Sequence, residues 1–216
     1  MVKSILKHYV IIALILLLSG AAHATESIRF SVLPFIGKVA LQKQFAPFGS
    51  YLAQISGQNV SQRFFDDYRD VLTALLNDEV DMAFLGPLPY LTLSKKDPSF
   101  IPIGQFVNSH GESTYTCALV TYDCMTGDSA PQTPQKIALT QPYSTCGYLM
   151  TESLLTSLGL SLTTTPYEYI GRHDECALRV IRKEVDLAGM KFKFWQNPRR
   201  YRVSCWSPIV EPFQLK

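Results

Sequence analysis

The strongest constraint on the fold is a repeating order of short apolar runs and amphipathic helical stripes, joined by turns of glycine, proline or polar residues. Ile28 to Leu33 reads as a strand ending at Pro34-Phe35. From Lys38 to about Ser56, Leu41, Phe45, Phe48, Leu52 and Ile55 recur at helical spacing, and Gly57 stops the run. A polar stretch leads to Phe64-Phe65. Asp66 and Asp67 then offer caps for a helix that turns Val71, Leu72, Leu75 and Leu76 inward. Val80 to Leu85 is a short buried strand, broken at Gly86-Pro87, and a short helix runs on toward Ser94. Ile101 to Val107 is expected to be a further strand.

Asn108 to Ser113 is a polar connector, and beyond it the same grammar restarts. Strands are expected at Tyr115 to Tyr122 and Lys136 to Thr140, with a loop from Cys124 to Pro134 between them. Ser144-Thr145 opens a helix carrying Leu149, Leu154, Leu155 and Leu158, which ends at Gly159. Tyr167 to Ile170 is extended, and His173-Asp174 opens a helix with Ala177, Leu178, Val180 and Ile181 inward. Val185 to Met190 and Val203 to Trp206 complete the strands. Strands alternating with helices define an α/β architecture. The restart divides the chain into a first lobe, 25–107, and a second, 108–204, with 205–216 crossing back toward the first. In such sheets ligands sit beyond the carboxyl ends of the strands, near helix N-termini.

With 47% hydrophobic and 18% charged residues, wholesale disorder is excluded. Residues 1–24 are expected to be a secretory signal peptide: Lys3 and Lys7 precede the apolar run Tyr9 to Leu18, and Ala22-His23-Ala24 supplies a small-x-small cleavage site. No cysteine follows that run, so no lipoprotein box is present, and the mature chain is expected to begin at Thr25 in the periplasm. Cleavage removes Lys3 and Lys7, which brings the 20 basic residues down to the number of acidic ones, 18. A neutral mature chain argues against a nucleic-acid binder. All five cysteines lie in the mature part, where export favours pairing, and the odd count leaves at least one outside an internal bond. They form no C-x-x-C and match no zinc module.

Four segments carry chemistry. Gln141-Pro142-Tyr143-Ser144-Thr145-Cys146-Gly147-Tyr148 follows a strand and opens a helix. Its hydroxyls, its glycine and the free amides of the helix end can face an anion, although Ser144 and Thr145 also suit a plain helix cap. Gly171-Arg172-His173-Asp174-Glu175 sits at a second such turn, where His173 can donate to an oxyanion or serve only the helix start. Asp67-Tyr68-Arg69-Asp70 places a phenol at a third. In Val80 to Tyr90, Gly86 permits a close backbone approach.

Together, in order and spacing, these segments resemble the phosphate/phosphite/phosphonate-binding periplasmic substrate-binding proteins of ABC importers. The resemblance runs from about Ile28 to about Pro208. It is carried by Val32-Leu33-Pro34-Phe35, Asp67-Tyr68, Val80-Asp81 leading to Leu85-Gly86-Pro87 and Tyr90, Ser144 to Leu149, and Gly171-Arg172-His173-Asp174 leading to Val185-Asp186. It implies a type II periplasmic-binding-protein fold, with two α/β lobes, a two-strand hinge and the ligand in the cleft. It further implies that Ser144, Thr145 and the position of Cys146 hold phosphoryl-type oxygens, with Tyr68, Gly86, Pro87, Tyr90 and His173 as further binding positions. No metal or cofactor is called for, since hydroxyls and amides at helix ends bind an oxyanion unaided.

Three departures stand out. Cys146 replaces the second serine of the family's Ser-Thr-Ser-Gly run, and a thiol is a weaker donor. After Val185-Asp186-Leu187-Ala188 the family often has a polar or acidic residue, whereas here stand Met190, Lys191, Phe192 and Lys193. Lys191 can meet an anion or stand solvated at the strand end. Relatives also usually continue beyond the return crossing with helices that complete the first lobe, so this lobe is expected to be thin, exposed or completed by a partner. The implied hinge puts Cys117 and Cys146 near the cleft, Cys205 on the returning strand and Cys124 at the far end. A disulfide is therefore expected between two of Cys117, Cys146 and Cys205.

The implied role is capture of a small oxyanion for an ABC permease. The same fold also feeds membrane sensors, and both partners stay open. Cys146 with His173 and Asp174 resembles a thiol nucleophile and its base. The order is unrelated to a nucleophile elbow, however, and the binding motif accounts for His173, so no enzymatic activity is expected. His173, Cys146 and Cys176 lack a fourth metal ligand.

Overall fold

The computed structural model describes residues 27–108, 110–122, 134, 136–194, 207–208 and 213–215. The expected leader, Cys124, Cys205 and the expected strand at Val203 to Trp206 lie outside the described residues.

The first unit contains β1 (Ser27–Val32), α1 (Lys38–Ser56), β2 (Asn59–Arg63), α2 (Tyr68–Leu76), β3 (Met82–Phe84) and α3 (Pro87–Lys96). Its sheet is parallel, in the order β2-β1-β3. The apolar stripe of α1 explains its docking: Leu41, Phe45 and Leu52 close on Phe30 and Val32 of β1. A second cluster gathers Val71, Leu72 and Leu75 of α2 with Leu33, Val80 and Leu93. The Asp67 carboxylate caps α2 by accepting from the Arg69 and Asp70 amides.

The second unit contains β4 (Tyr115–Thr121), β5 (Ile137–Leu139), a π-helical turn (Thr145–Leu149) that runs into α4 (Met150–Ser157), β6 (Tyr167–Tyr169), α5 (His173–Ile181) and β7 (Leu187–Lys191). A 3-10 turn (Phe192–Phe194) follows, then β8 (Ser207–Pro208) and β9 (Phe213–Leu215). The strand order is β6-β5-β7-β4-β8, with β9 also on β4. β5 is parallel to β6 and β7, and β4 is antiparallel to β7. Residue alternation sends Leu119, Ile137, Leu139 and Leu187 to one face, against Leu154 and Leu155 of α4. Ala118, Val120, Ala138, Ala188 and Met190 pack on the other, against Cys176, Ala177 and Val180 of α5.

One local device occurs in both units. In each, a Val-Asp pair follows a helix and leads into a strand. Asp81 accepts from the Arg29 amide at 2.7 Å and also pairs with the Arg29 guanidinium. Asp186 accepts from the Lys136 amide at 3.0 Å. Asp81 thus ties β3 to the middle of β1, and Asp186 ties β7 to the start of β5.

Three expectations need correction. The polar stretch after Gly57 contains β2, an edge strand of alternating exposed and half-buried residues. Ile101 to Val107 is not a strand, since it pairs with no described strand and its residues are exposed. Ile55 is 61% exposed and does not join Leu41, Phe45 and Leu52 on the buried side of α1. β8 and β9 pair with β4 of the second sheet.

Candidate functional site

The two units meet where the turns after their strands face one another. The helix opening at Thr145 is built on a close approach: a Cβ on Gly147 would lie 1.8 Å from Thr140 Oγ1, so only glycine lets this turn sit on the end of β5. Ser144 Oγ caps the turn by accepting from the Gly147 amide at 3.0 Å. The amides of Thr145 and Cys146 open the helix and have no acceptor within it.

Several contacts cross between the units here. The Leu88 amide, in the first turn of α3, donates to Thr145 Oγ1 at 3.0 Å. Gly86 lies beneath it, and a Cβ there would be 3.3 Å from Thr145 Oγ1 and 3.7 Å from the Tyr115 oxygen. The Tyr68 amide donates to Gln141 Oε1 at 2.6 Å, and Gln141 Nε2 donates to the Gly171 carbonyl at 2.8 Å. The His173 amide donates to the Phe35 carbonyl at 3.1 Å. Tyr143 packs among α2 residues, and Phe194 packs among β1 and α1 residues.

Electrostatics follow from this burial. Tyr68 is 4% exposed, and desolvation holds its phenol far above the usual value although it hydrogen-bonds Ser144. Burial likewise raises the Tyr115 phenol, which hydrogen-bonds Thr145. His173 Nδ1 accepts from the Lys191 amide at 3.2 Å, so the neutral ring carries its proton on Nε2 as a donor. Burial first, and then the Lys191 charge, lower the His173 pKa to about 3. The ring stacks on Phe194 with centroids 5.2 Å apart.

Ser144, Thr145, Tyr68 and Gly86 therefore come together, with Tyr115 and Gln141 between them. His173 is tied to the group through Gln141, which reaches the turn preceding it. Pro87 stands exposed at the first position of α3. The Tyr90 amide bonds to the Gly86 carbonyl, and no described contact joins its ring to the group. Cys146 is bonded to Cys117, one of the expected pairings, so its side chain has no S–H and only its amide can donate. That bond also removes Cys146 as a thiol nucleophile. Cys176 is free but buried, and burial pushes its thiol up to about 12. Tyr115 and Gln141 were not predicted as site residues. Gln141 begins the segment that opens the helix, while Tyr115 carries only the signal of opening a strand.

The two α/β units meeting at strand-to-helix turns, with β4 leaving their junction, define the fold of a type II periplasmic binding protein. The family model for the periplasmic substrate-binding protein of phosphonate ABC transporters matches residues 30–205, and the chain belongs to that family. A phosphate-import protein PhnD of Mycolicibacterium smegmatis is 25% identical over 182 residues, 77% of this chain and 55% of that protein. The chain thus spans little more than half of that relative. Two solved structures share the fold. One is the binding protein component of an ABC phosphonate transporter from Pseudomonas aeruginosa, with TM-score 0.71 and 20% identity, covering 88% of this chain and 66% of that one. The other is PhnD1 from Prochlorococcus marinus in complex with methylphosphonate, with TM-score 0.74 and 17% identity, covering 88% and 73%.

Proposed function

We propose that this protein captures a small phosphoryl-type oxyanion (phosphate, phosphite or a phosphonate) in the periplasm and delivers it to an ABC permease. The observation that carries the reading is the meeting of two helix starts, at Ser144-Thr145 and at Gly86-Pro87, across the junction of the two units. The start at Thr145 presents unpaired amides, and the start of α3 offers the single Leu88 amide, because Pro87 and Pro89 have no N–H; both add the positive end of a helix dipole, a natural site for an anion. In this reading the anion takes over the Leu88 amide that Thr145 Oγ1 now accepts, and Thr145 turns its hydroxyl proton to the ligand. Ser144, the Cys146 amide, Tyr68 and the Nε2–H of His173 supply further donors. The lobes are 25–107 and 108–204, and residues 1–24 direct export. Binding without chemical conversion is the whole task, in keeping with a family of transport proteins.

The test is a thermal-shift screen against phosphate, phosphite, methylphosphonate, sulfate and amino acids. A ligand at a hundred times its Kd adds about 2.7 kcal/mol of stability. Stabilisation by a phosphoryl anion supports the reading, and stabilisation by an amino acid alone contradicts it.

A further inference from the structure

Lys191 ends β7 directly opposite Cys117 of β4. Alternation puts 187, 189 and 191 on one face of the sheet. On that face Leu187 packs against α4, and a Cβ on Gly189 would run into Thr151. Lys191 therefore shares a face with the helix that Thr145 opens. Its ammonium lies 4.0 Å from the centroid of the Tyr115 ring, and the Tyr115 phenol is hydrogen-bonded to Thr145. Its amide bonds to His173 Nδ1. Lys191 thus touches two residues that border the proposed anion site, one through its side chain and one through its backbone.

Among the described residues no ion pair involves Lys191. Burial, with Lys193 adding like charge, lowers its pKa to about 8, so it stays mostly charged at neutral pH. A partly desolvated ammonium that no described carboxylate pairs with favours an anion that comes to it.

We propose that Lys191 sets the ligand class of this site: it pairs with a bound phosphoryl anion and disfavours phosphonates that carry an ammonium group of their own. The proposal rests on the oxyanion reading above. A ligand ammonium lodged beside Lys191 meets a like charge in a medium that screens it less than water does. Methylphosphonate, phosphite and phosphate bring no such group.

The test is calorimetric titration of the wild type, Lys191→Met, Lys191→Arg and Lys191→Glu with methylphosphonate and 2-aminoethylphosphonate. Substitution keeps the backbone amide on His173, and circular dichroism melts check folding. The wild type should prefer methylphosphonate by roughly tenfold or more. Lys191→Met should lose about tenfold for methylphosphonate and close the gap, Lys191→Arg should keep the preference, and Lys191→Glu should reverse it. Equal methylphosphonate affinity in the wild type and a folded Lys191→Met overturns the role of Lys191 and leaves the oxyanion reading standing. A wild type that binds neither phosphonate overturns the proposal, and one that phosphate and phosphite also fail to stabilise in the thermal-shift screen overturns the oxyanion reading as well.

Discussion

Breaking the Cys117–Cys146 bond tests how far the start of the helix at Thr145 depends on a covalent tie. The bond joins β4 to the second residue of that helix across a sequence separation of 29. Closing a loop of this length removes about 3.6 kcal/mol of unfolded-chain entropy at 25 °C. Both sulfurs are buried, Cys117 at 0% and Cys146 at 3% exposure, so reductant reaches them mainly when the protein opens. We therefore expect slow reduction under native conditions and fast reduction in denaturant. Urea unfolding of the oxidised and reduced protein, and of the Cys117→Ala/Cys146→Ala double variant, measures the cost. Reduction should lower stability by about 3–4 kcal/mol and the melting temperature by roughly 7–14 °C for a domain of this size. The reduced protein should also bind methylphosphonate more weakly, because the amides of Thr145 and Cys146 lose their anchor. Coincident unfolding curves for the oxidised and reduced protein would refute the reasoning.

Two further outcomes follow from buried groups. His173 stays neutral in the folded protein, with a pKa of about 3 against 6.5 in the unfolded chain, so the unfolded state takes up the proton first. Its contribution is complete above pH 6.5 and is lost as pH falls toward 3, up to about 5 kcal/mol in all. Urea titrations at pH 7, 5 and 4 should therefore show a shallower acid loss for His173→Gln than for the wild type, and equal slopes would contradict the assignment. Gly147→Ala places a methyl 1.8 Å from Thr140 Oγ1 and 2.7 Å from its Cβ, an overlap that should cost about 1–3 kcal/mol or more in a thermal melt.

What was legible in the sequence, and what was not, has physical causes. Helix α1 was readable to its ends, because Leu41, Phe45 and Leu52 sit at helical spacing and Gly57 takes φ 69° at its C-terminus. β2 was hidden, since Asn59–Arg63 lies at a sheet edge and carries no apolar alternation. Ile101 to Val107 shows the opposite failure: an apolar run announces a strand only if a neighbour exists to pair with it. Turn chemistry marked Tyr68, Gly86, Ser144 and Thr145, because strand-to-helix turns select glycine, hydroxyls and caps locally. Tyr115 and Gln141 join them only through strand register and the meeting of the units, which no local pattern records. The Cys117–Cys146 pairing lay between these cases. Three cysteines were grouped by the implied hinge, and the register of β4 against β7 then shows Cys117 facing the helix that carries Cys146.

The central claim is that the Ser144-Thr145 helix start binds a phosphoryl oxyanion against the first turn of α3. Calorimetric titration of the wild type and Thr145→Ala with methylphosphonate and with phosphate tests it most directly. The variant removes a hydroxyl that now accepts from Leu88 and would donate to the ligand. Losing one hydrogen bond to a charged group costs about 1.5–3 kcal/mol, so affinity should fall roughly ten- to a hundredfold while the circular dichroism spectrum stays native. A folded Thr145→Ala with unchanged affinity would mean that the turn is only a helix cap and that the anion, if bound, lies elsewhere.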